Sequence, residues 1–288
     1  MPSPRRLYGE NMFWLTKNHK IEYGKKTLIM GIVNVTPDSF SDGGDNFSPE
    51  KAVETALLME KQGADIIDFG AQSTRPGFSQ SFSQISDTDE WARLKPVLTA
   101  LGGKLSVPIS VDTFYPFVAE NALNLGADII NDVSGVISPE MAQIVKKHGA
   151  GWVVMHNGDG GCNEVSSFFN QCIDELDRLG VHKNQICFDM GIGFGKTRAQ
   201  DMELIANVQK YKPSGYPILL GTSRKRVIKE GSGQECPKER IYGNIAADTA
   251  AIFGGVNVIR LHDVEHEKQG IYMADALSDC VFFPTASL

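Results

Sequence analysis

No run of about 18 apolar residues occurs anywhere in the chain, so no membrane-spanning helix is expected. No apolar stretch follows Arg5 and Arg6, so a secretory leader is not expected and a cytoplasmic location is. There is no CxxC pair, and the 5 cysteines are odd in number and widely spaced, which points away from a zinc site or a disulfide framework and toward a reducing compartment. Positive charge is also short. The net charge is −7, and no basic run is longer than Ser223-Arg224-Lys225-Arg226, which argues against a nucleic-acid partner. A local basic pocket for a phosphate is still compatible with an acidic exterior. No linker or low-complexity break divides the 288 residues. With 42% hydrophobic and 22% charged residues, the composition is that of a globular domain with a sizeable core.

One phrase repeats along the chain. Gly63-Ala64-Asp65 precedes Ile66-Ile67-Asp68, and Gly126-Ala127-Asp128 precedes Ile129-Ile130-Asn131-Asp132. Gly149-Ala150-Gly151 precedes Trp152–His156, and Gly254-Gly255 precedes Val256–His262. Each glycine follows a helical pattern and suits a left-handed helix C-terminus. Each apolar run is short and non-alternating, as in a strand covered on both faces. Leu28–Val33, Pro108–Val111, Gln185–Phe188 and Pro217–Leu220 complete eight predicted strands. Helices are predicted between them, with Ser48-Pro49 and Ser138-Pro139 as N-terminal caps. Further helices are placed at Asp87–Leu101, Val165–Leu179, Gln200–Val208, Glu239–Phe253 and Lys268–Leu277. Eight alternating units in about 250 residues describe a single α/β TIM (β/α)8 barrel. A doubly wound open sheet is the alternative, since alternation alone does not prove closure. Residues 27–288 form the expected barrel domain. Residues 1–26 form an extension in which Phe13, Leu15, Ile21 and Tyr23 suggest a hairpin closing the barrel bottom.

The loop opened by the first of these strands, Asn34–Gly44, holds Asn34, Thr36, Asp38, Ser39, Ser41 and Asp42, and α/β folds put their chemistry in such loops. In a barrel all strand ends meet on one face, which would gather Asn34 and Asp38, Asp68, Gln72–Gly77, Asp112, Asn131 and Asp132 there. His156, Asp189, Gly191–Lys196, Ser223–Arg226, Arg260 and His262 would join them. Arg75, Arg260 and His262 suit a phosphate or pyrophosphate, because guanidinium forks match phosphate oxygens. Asp112, Asn131 and Asp189 suit a heterocycle with several N–H donors, with Lys225 balancing charge and Phe194 and Pro76 as apolar walls. Plainer readings stand beside these. Asp68 and Asp132 can cap a helix or accept loop N–H groups, His156 can bond within the barrel mouth, Gly191–Gly195 can be a sharp turn, and Arg224 and Lys196 can be surface charges.

Ordered motifs then carry a resemblance. Asn34–Gly44 reads N-V-T-P-D-S-F-S-D-G-G, Ser73–Gly77 reads S-T-R-P-G, and Ser110–Thr113 reads S-V-D-T. Ile130–Gly135, Met155-His156, Gly191–Thr197, Gly221–Lys225 and Arg260–Val264 follow in order. The chain thereby resembles the dihydropteroate synthase family from about Thr27 to Leu277. The resemblance implies a transferase of folate synthesis that joins 6-hydroxymethyl-7,8-dihydropterin pyrophosphate to p-aminobenzoate and releases pyrophosphate. It implies pterin binding by Asp112, Asn131, Asp189 and Lys225, and pyrophosphate binding by Thr74, Arg75, Arg260 and His262. It implies Mg²⁺ at Asn34, a p-aminobenzoate site walled by Pro76, Phe194 and Lys225, and a homodimer. Asp38, Lys225 and Arg260 would be catalytic, with Asp38 opposing the cationic methylene left as pyrophosphate departs. The sequence departs from the family pattern at Gln72, where glutamate is usual, at Met190, where proline is usual, and at Arg226, often serine. The segment from His156 to Asp189 is also short. A pterin-dependent methyltransferase and a catalytically silent pterin-binding paralogue are the competing readings.

Overall fold

The structure is a computed structural model that describes residues 12–36, 48–72, 85–159 and 161–280. Two antiparallel strands, β1 (Met12–Leu15) and β2 (Lys20–Tyr23), form a hairpin. Eight parallel strands follow: β3 (Leu28–Asn34), β4 (Ile66–Gly70), β5 (Ile109–Asp112), β6 (Ile129–Asp132), β7 (Gly151–Met155), β8 (Ile186–Asp189), β9 (Ile218–Leu220) and β10 (Val258–Leu261). Sequential strands pair, and β10 pairs back onto β3, so the sheet closes into a barrel and the open-sheet alternative is set aside.

Helices α1 (Pro49–Gln62), α2 (Asp87–Leu101), α3 (Pro116–Asn124), α4 (Pro139–His148) and α5 (Cys162–Arg178) alternate with the strands. After β8 come α6 (Arg198–Ala206) and α7 (Val208–Tyr211), after β9 come α8 (Arg226–Ser232) and α9 (Ile241–Phe253), and α10 (Val264–Cys280) closes the described chain. The expected caps form: Ser48 and Ser138 accept hydrogen bonds from the backbone of Lys51 and Met141. Gly63 and Gly149 end α1 and α4 in the left-handed conformation, at φ 110° and 64°. The strand predicted at Pro108–Val111 runs one residue later, as do those at Gln185–Phe188 and Pro217–Leu220 at their first residue. Asp112 and Asp189 therefore end strands rather than begin loops.

Side chains alternate across each strand, and the two faces build separate cores. Ile67, Val111, Ile130, Trp152, Val154, Phe188 and Ile259 pack outward against the helices. Leu28, Met30, Ile66, Ile129, Val153, Cys187, Leu219 and Val258 fill the barrel interior together with Trp14 and Tyr23 of the hairpin. The hairpin does close the barrel bottom, through Tyr23 and Ile21 as expected, but on β1 through Trp14 rather than Phe13 and Leu15. Trp14 is the inserted side chain, its indole N–H donating to the Gln185 carbonyl at 2.9 Å, while Phe13 and Leu15 lie on the half-exposed face. Asp128 fastens the turn by accepting from Asn18 N and Nδ2 and contacting His19 Nδ1.

Candidate active site

The alternation that fills the barrel floor with hydrocarbon also builds the site. Two residues past Ile66, Ile129, Cys187 and Val258, the next inward positions are Asp68, Asn131, Asp189 and Arg260, joined by Ser110 from β5. The interior changes from apolar to polar within one layer, and the polar layer sits on a plugged floor. Its centre is Asp68, fully buried. Asp68 Oδ2 accepts from Arg260 Nε at 2.7 Å and faces Arg260 Nη2 at 2.6 Å; Asn131 Nδ2 donates to the same oxygen at 3.2 Å and Ser110 Oγ to Oδ1 at 2.5 Å. Arg260 Nη2 also reaches Asp112 Oδ2 at 2.9 Å. One guanidinium thus spans two carboxylates at the mouth of the barrel.

Asp112 feels this crowding. Burial is the main cause that raises its carboxyl to about 7, with Asp68 adding to the rise and Arg260 opposing it. Burial raises Asp189 as well, against Lys225 and the Gly191 N–H, which donates to Asp189 Oδ1 at 2.8 Å. Lys225 precedes α8 and donates from Nζ to the Ile192 carbonyl at 2.6 Å. Its ammonium lies 4.9 Å from the Phe194 ring centroid, and burial lowers it to about 8 while Asp189 holds it up. His262 Nδ1 contacts Ser223 Oγ at 3.0 Å, and that oxygen also accepts from His262 N. Arg224, between Ser223 and Lys225, holds a left-handed backbone at φ 63°.

Asp112, Asn131, Asp189, Lys225, Phe194, Arg260 and His262 all reach this one face, as does Asn34 at the end of β3. Asp38, Thr74, Arg75 and Pro76 lie outside the described residues. Among the described residues no group of three or more His, Cys, Asp or Glu could hold a metal ion. The plainer reading holds for Asp132, whose Oδ1 accepts from Ser134 N at 2.9 Å. His156 shares the outward parity of Trp152 and Val154. Its ring meets Phe168 edge-on at 5.1 Å, and burial lowers it to about 4.

Lys196 corrects the expectation of a surface charge. It is buried and donates to the carbonyls of His156, Gly191 and Phe194 at 3.2, 3.0 and 3.3 Å. This ammonium staples the turn after β8, and burial lowers it to about 8. The same turn requires glycine: Gly191 has φ 66°, and a Cβ there would meet the His156 carbonyl oxygen at 1.9 Å.

Two buried carboxylates stand at or beside the mouth without a role expected from the sequence. Asp68 is expected on this face, with a cap as its plainer reading; its place two residues beyond an inward Ile66 makes it an inward residue of the polar layer. Glu90 of α2 is fully buried and accepts from Gln72 Nε2. Its signal is a carboxylate inside the stripe Glu90, Leu94, Val97, Leu98, Leu101.

Comparison with known proteins matches this architecture. A family model described as pterin binding enzyme matches residues 30–262. A dihydropteroate synthase of Synechocystis is 41% identical over 270 residues, covering 89% of this chain and 92% of its own. A dihydropteroate synthase from Clostridium difficile, solved in the presence of pteroic acid, superposes with a TM-score of 0.82 at 43% identity, covering 89% of this chain and 98% of that one. That of Xanthomonas albilineans, solved with 4-aminobenzoic acid, superposes with a TM-score of 0.84 at 34% identity, covering 92% and 98%.

Proposed function

The chain belongs to the dihydropteroate synthase family of pterin-binding enzymes, and from that premise we propose how its barrel mouth performs the family reaction. The chain is a transferase of folate synthesis, condensing 6-hydroxymethyl-7,8-dihydropterin pyrophosphate with p-aminobenzoate to give 7,8-dihydropteroate and pyrophosphate. The observation that carries the site assignment is the inward layer of acceptors from three strands, Asp112, Asn131 and Asp189, above a sealed apolar floor. A pterin edge presents several N–H donors in one plane, and acceptors fixed on strands match such an edge without reorganising. Lys225 faces the same ring and, with Phe194 and Pro76, walls the aryl amine site.

Arg260 and His262, with Thr74 and Arg75, hold the pyrophosphate. Arg260 already spans Asp68 and Asp112, so its fork is oriented before substrate arrives. C–O cleavage transfers the electron pair to the departing pyrophosphate, and the weakly basic aryl amine forms the new C–N bond and loses its proton. Asp38 opposes the positive charge at the methylene.

Asn34 offers one neutral amide oxygen at the mouth. That fits Mg²⁺, which keeps waters and takes its other ligands from substrate phosphates; bound there, the ion would neutralise leaving-group charge. A cytoplasmic homodimer is the proposed working form; no helix among the described residues is long and apolar enough to cross a membrane.

Calorimetry with the dihydropterin tests the site. Asp112→Ala and Asp189→Ala are each expected to weaken binding about 5- to 150-fold, because each buried donor left unpaired costs about 1–3 kcal/mol. Wild-type affinity in either variant would overturn the assignment.

A further inference from the structure

We propose that Glu90, on the helix after β4, is a positioning residue that holds the second active-site loop in register with the pterin carboxylate Asp112. The proposal rests on the site reading above and adds a residue that lies at no strand end. A carboxylate in the apolar stripe of a buried helix face is costly unless it is hydrogen-bonded. Glu90 is fully buried on that face. Its side-chain hydrogen bond leaves its own helix, on which Arg93 only offsets its charge. Gln72 Nε2 donates to Glu90 Oε2, and Arg93, three residues further along α2, donates from Nη1 to the Ala71 carbonyl at 3.0 Å.

The same helix therefore grips two consecutive residues of the loop, one by side chain and one by backbone. Those residues follow Gly70, the last residue of β4, which pairs with Asp112 across the sheet. A Cβ on Gly70 would stand 3.5 Å from the Asp112 Cβ, so the loop base lies against Asp112. On the other side Thr113 is buried, and burial raises the Glu90 carboxyl while the Thr113 hydroxyl and the Gln72 amide draw it back. Glu90 is thus tied by hydrogen bond to the loop that leaves β4, on the side where Asp112 stands. Beyond Gln72 the chain runs directly into Ser73-Thr74-Arg75-Pro76, so a shift at Gln72 is passed to the residues assigned to pyrophosphate and aryl amine.

The neutral amide at position 72 follows from this contact. A glutamate there would set two carboxylates against each other in a buried site, where both cannot ionise without cost. Exchanging the two groups restores one donor and one acceptor, so a reciprocal swap tests the pairing directly. Gln72→Glu and Glu90→Gln are compared with the double variant carrying both. Gln72→Glu, which sets two carboxylates together, is expected to raise KM for p-aminobenzoate about tenfold. Glu90→Gln, which keeps one amide-to-amide bond but loses the charge beside Arg93, is expected to raise it about threefold. In both, kcat should change less than about threefold, and the swap should return KM to within about twofold. Affinity for the bare dihydropterin is expected to stay within about twofold in all three. Hydrogen exchange of the peptide spanning 70–77 should quicken in the single variants and slow again in the swap. This readout needs no turnover, so it judges Glu90 even if the wild-type protein makes no product. A swap as impaired as the two single variants combined, or single variants with wild-type KM and exchange, would overturn the proposal. If a single variant does not fold, Arg93→Ala replaces it: loss of the Ala71 contact should give the same KM and exchange pattern, and wild-type values would count against the proposal.

Discussion

Replacing Asp68 by asparagine probes the least obvious part of the site, because shape is kept and one charge is removed. Asp68 accepts from Arg260 at 2.7 Å and from Ser110 and Asn131 at 2.5 and 3.2 Å, with no solvent exposure. Deleting one partner of a fully buried ion pair costs about 3–5 kcal/mol. Here Arg260 keeps Asp112 at 2.9 Å, and an asparagine oxygen can still accept. The expected loss is therefore nearer the value of one charge-assisted hydrogen bond, about 2–3 kcal/mol in urea unfolding. A second readout follows from the electrostatics. Asp68 raises the Asp112 carboxyl and Arg260 lowers it. Without Asp68 both changes act in one direction, so the Asp112 titration must fall below about 7. The acidic limb of pterin affinity, followed by calorimetry from pH 5 to pH 9, should move to lower pH. A stability change under about 0.5 kcal/mol with an unmoved acidic limb would refute the claim that Asp68 organises the mouth.

In the wild-type protein kcat/KM should be bell-shaped in pH. The Asp112 carboxylate is present above about 7 and the Lys225 ammonium is lost above about 8, so activity rises through the first value and falls through the second. A flat profile from pH 6 to pH 9 would contradict both roles. Asp248 and Glu267, buried behind the β9 loop, are raised to about 7 and about 8, chiefly by burial. The folded state therefore binds protons that the unfolded state releases, and stability falls as pH rises from about 5 to 8. Asp248→Asn and Glu267→Gln should flatten that slope in thermal melts, and an unchanged slope would show that neither group takes up the proton. p-Aminobenzoate or a sulfonamide is expected to bind well only with pyrophosphate and Mg²⁺ present, since the loops carrying Asn34 and Pro76 serve both sites. Tight calorimetric binding to the empty protein would contradict this order. Arg260→Ala and Arg75→Ala should weaken the pyrophosphorylated pterin far more than the bare pterin, and equal losses would make both arginines structural.

The strands, their order and most inward site residues were legible because short β-branched runs after left-handed glycines leave few alternatives, and because closure sends every strand end to one face. Asp112, Asn131, Asp189 and Arg260 needed nothing more. Asp68 was less legible, since a carboxylate at the end of I-I-D can cap a loop or point inward, and only register decides between them. Lys196 reads as a surface charge because it closes a glycine-rich turn. Its burial depends on carbonyls of His156 and Gly191, which only the folded turn brings together. The hairpin carries apolar residues on both faces of β1, so alternation could not choose between Phe13 and Trp14; the Trp14 bond to Gln185 does. Helix α8 has only Val227 and Ile228 buried, too few to show a helical period.

The reaction itself is the most direct test. Purified protein is incubated with 6-hydroxymethyl-7,8-dihydropterin pyrophosphate, p-aminobenzoate and Mg²⁺, and pyrophosphate release is followed beside the mass of the pterin product. The account predicts release that depends on the aryl amine, matched one for one by dihydropteroate, and lost in Asp189→Ala. Tight pterin binding without pyrophosphate release, or activity appearing only in a Gln72→Glu variant of an inert parent, would make this chain a silent pterin-binding relative and contradict the account.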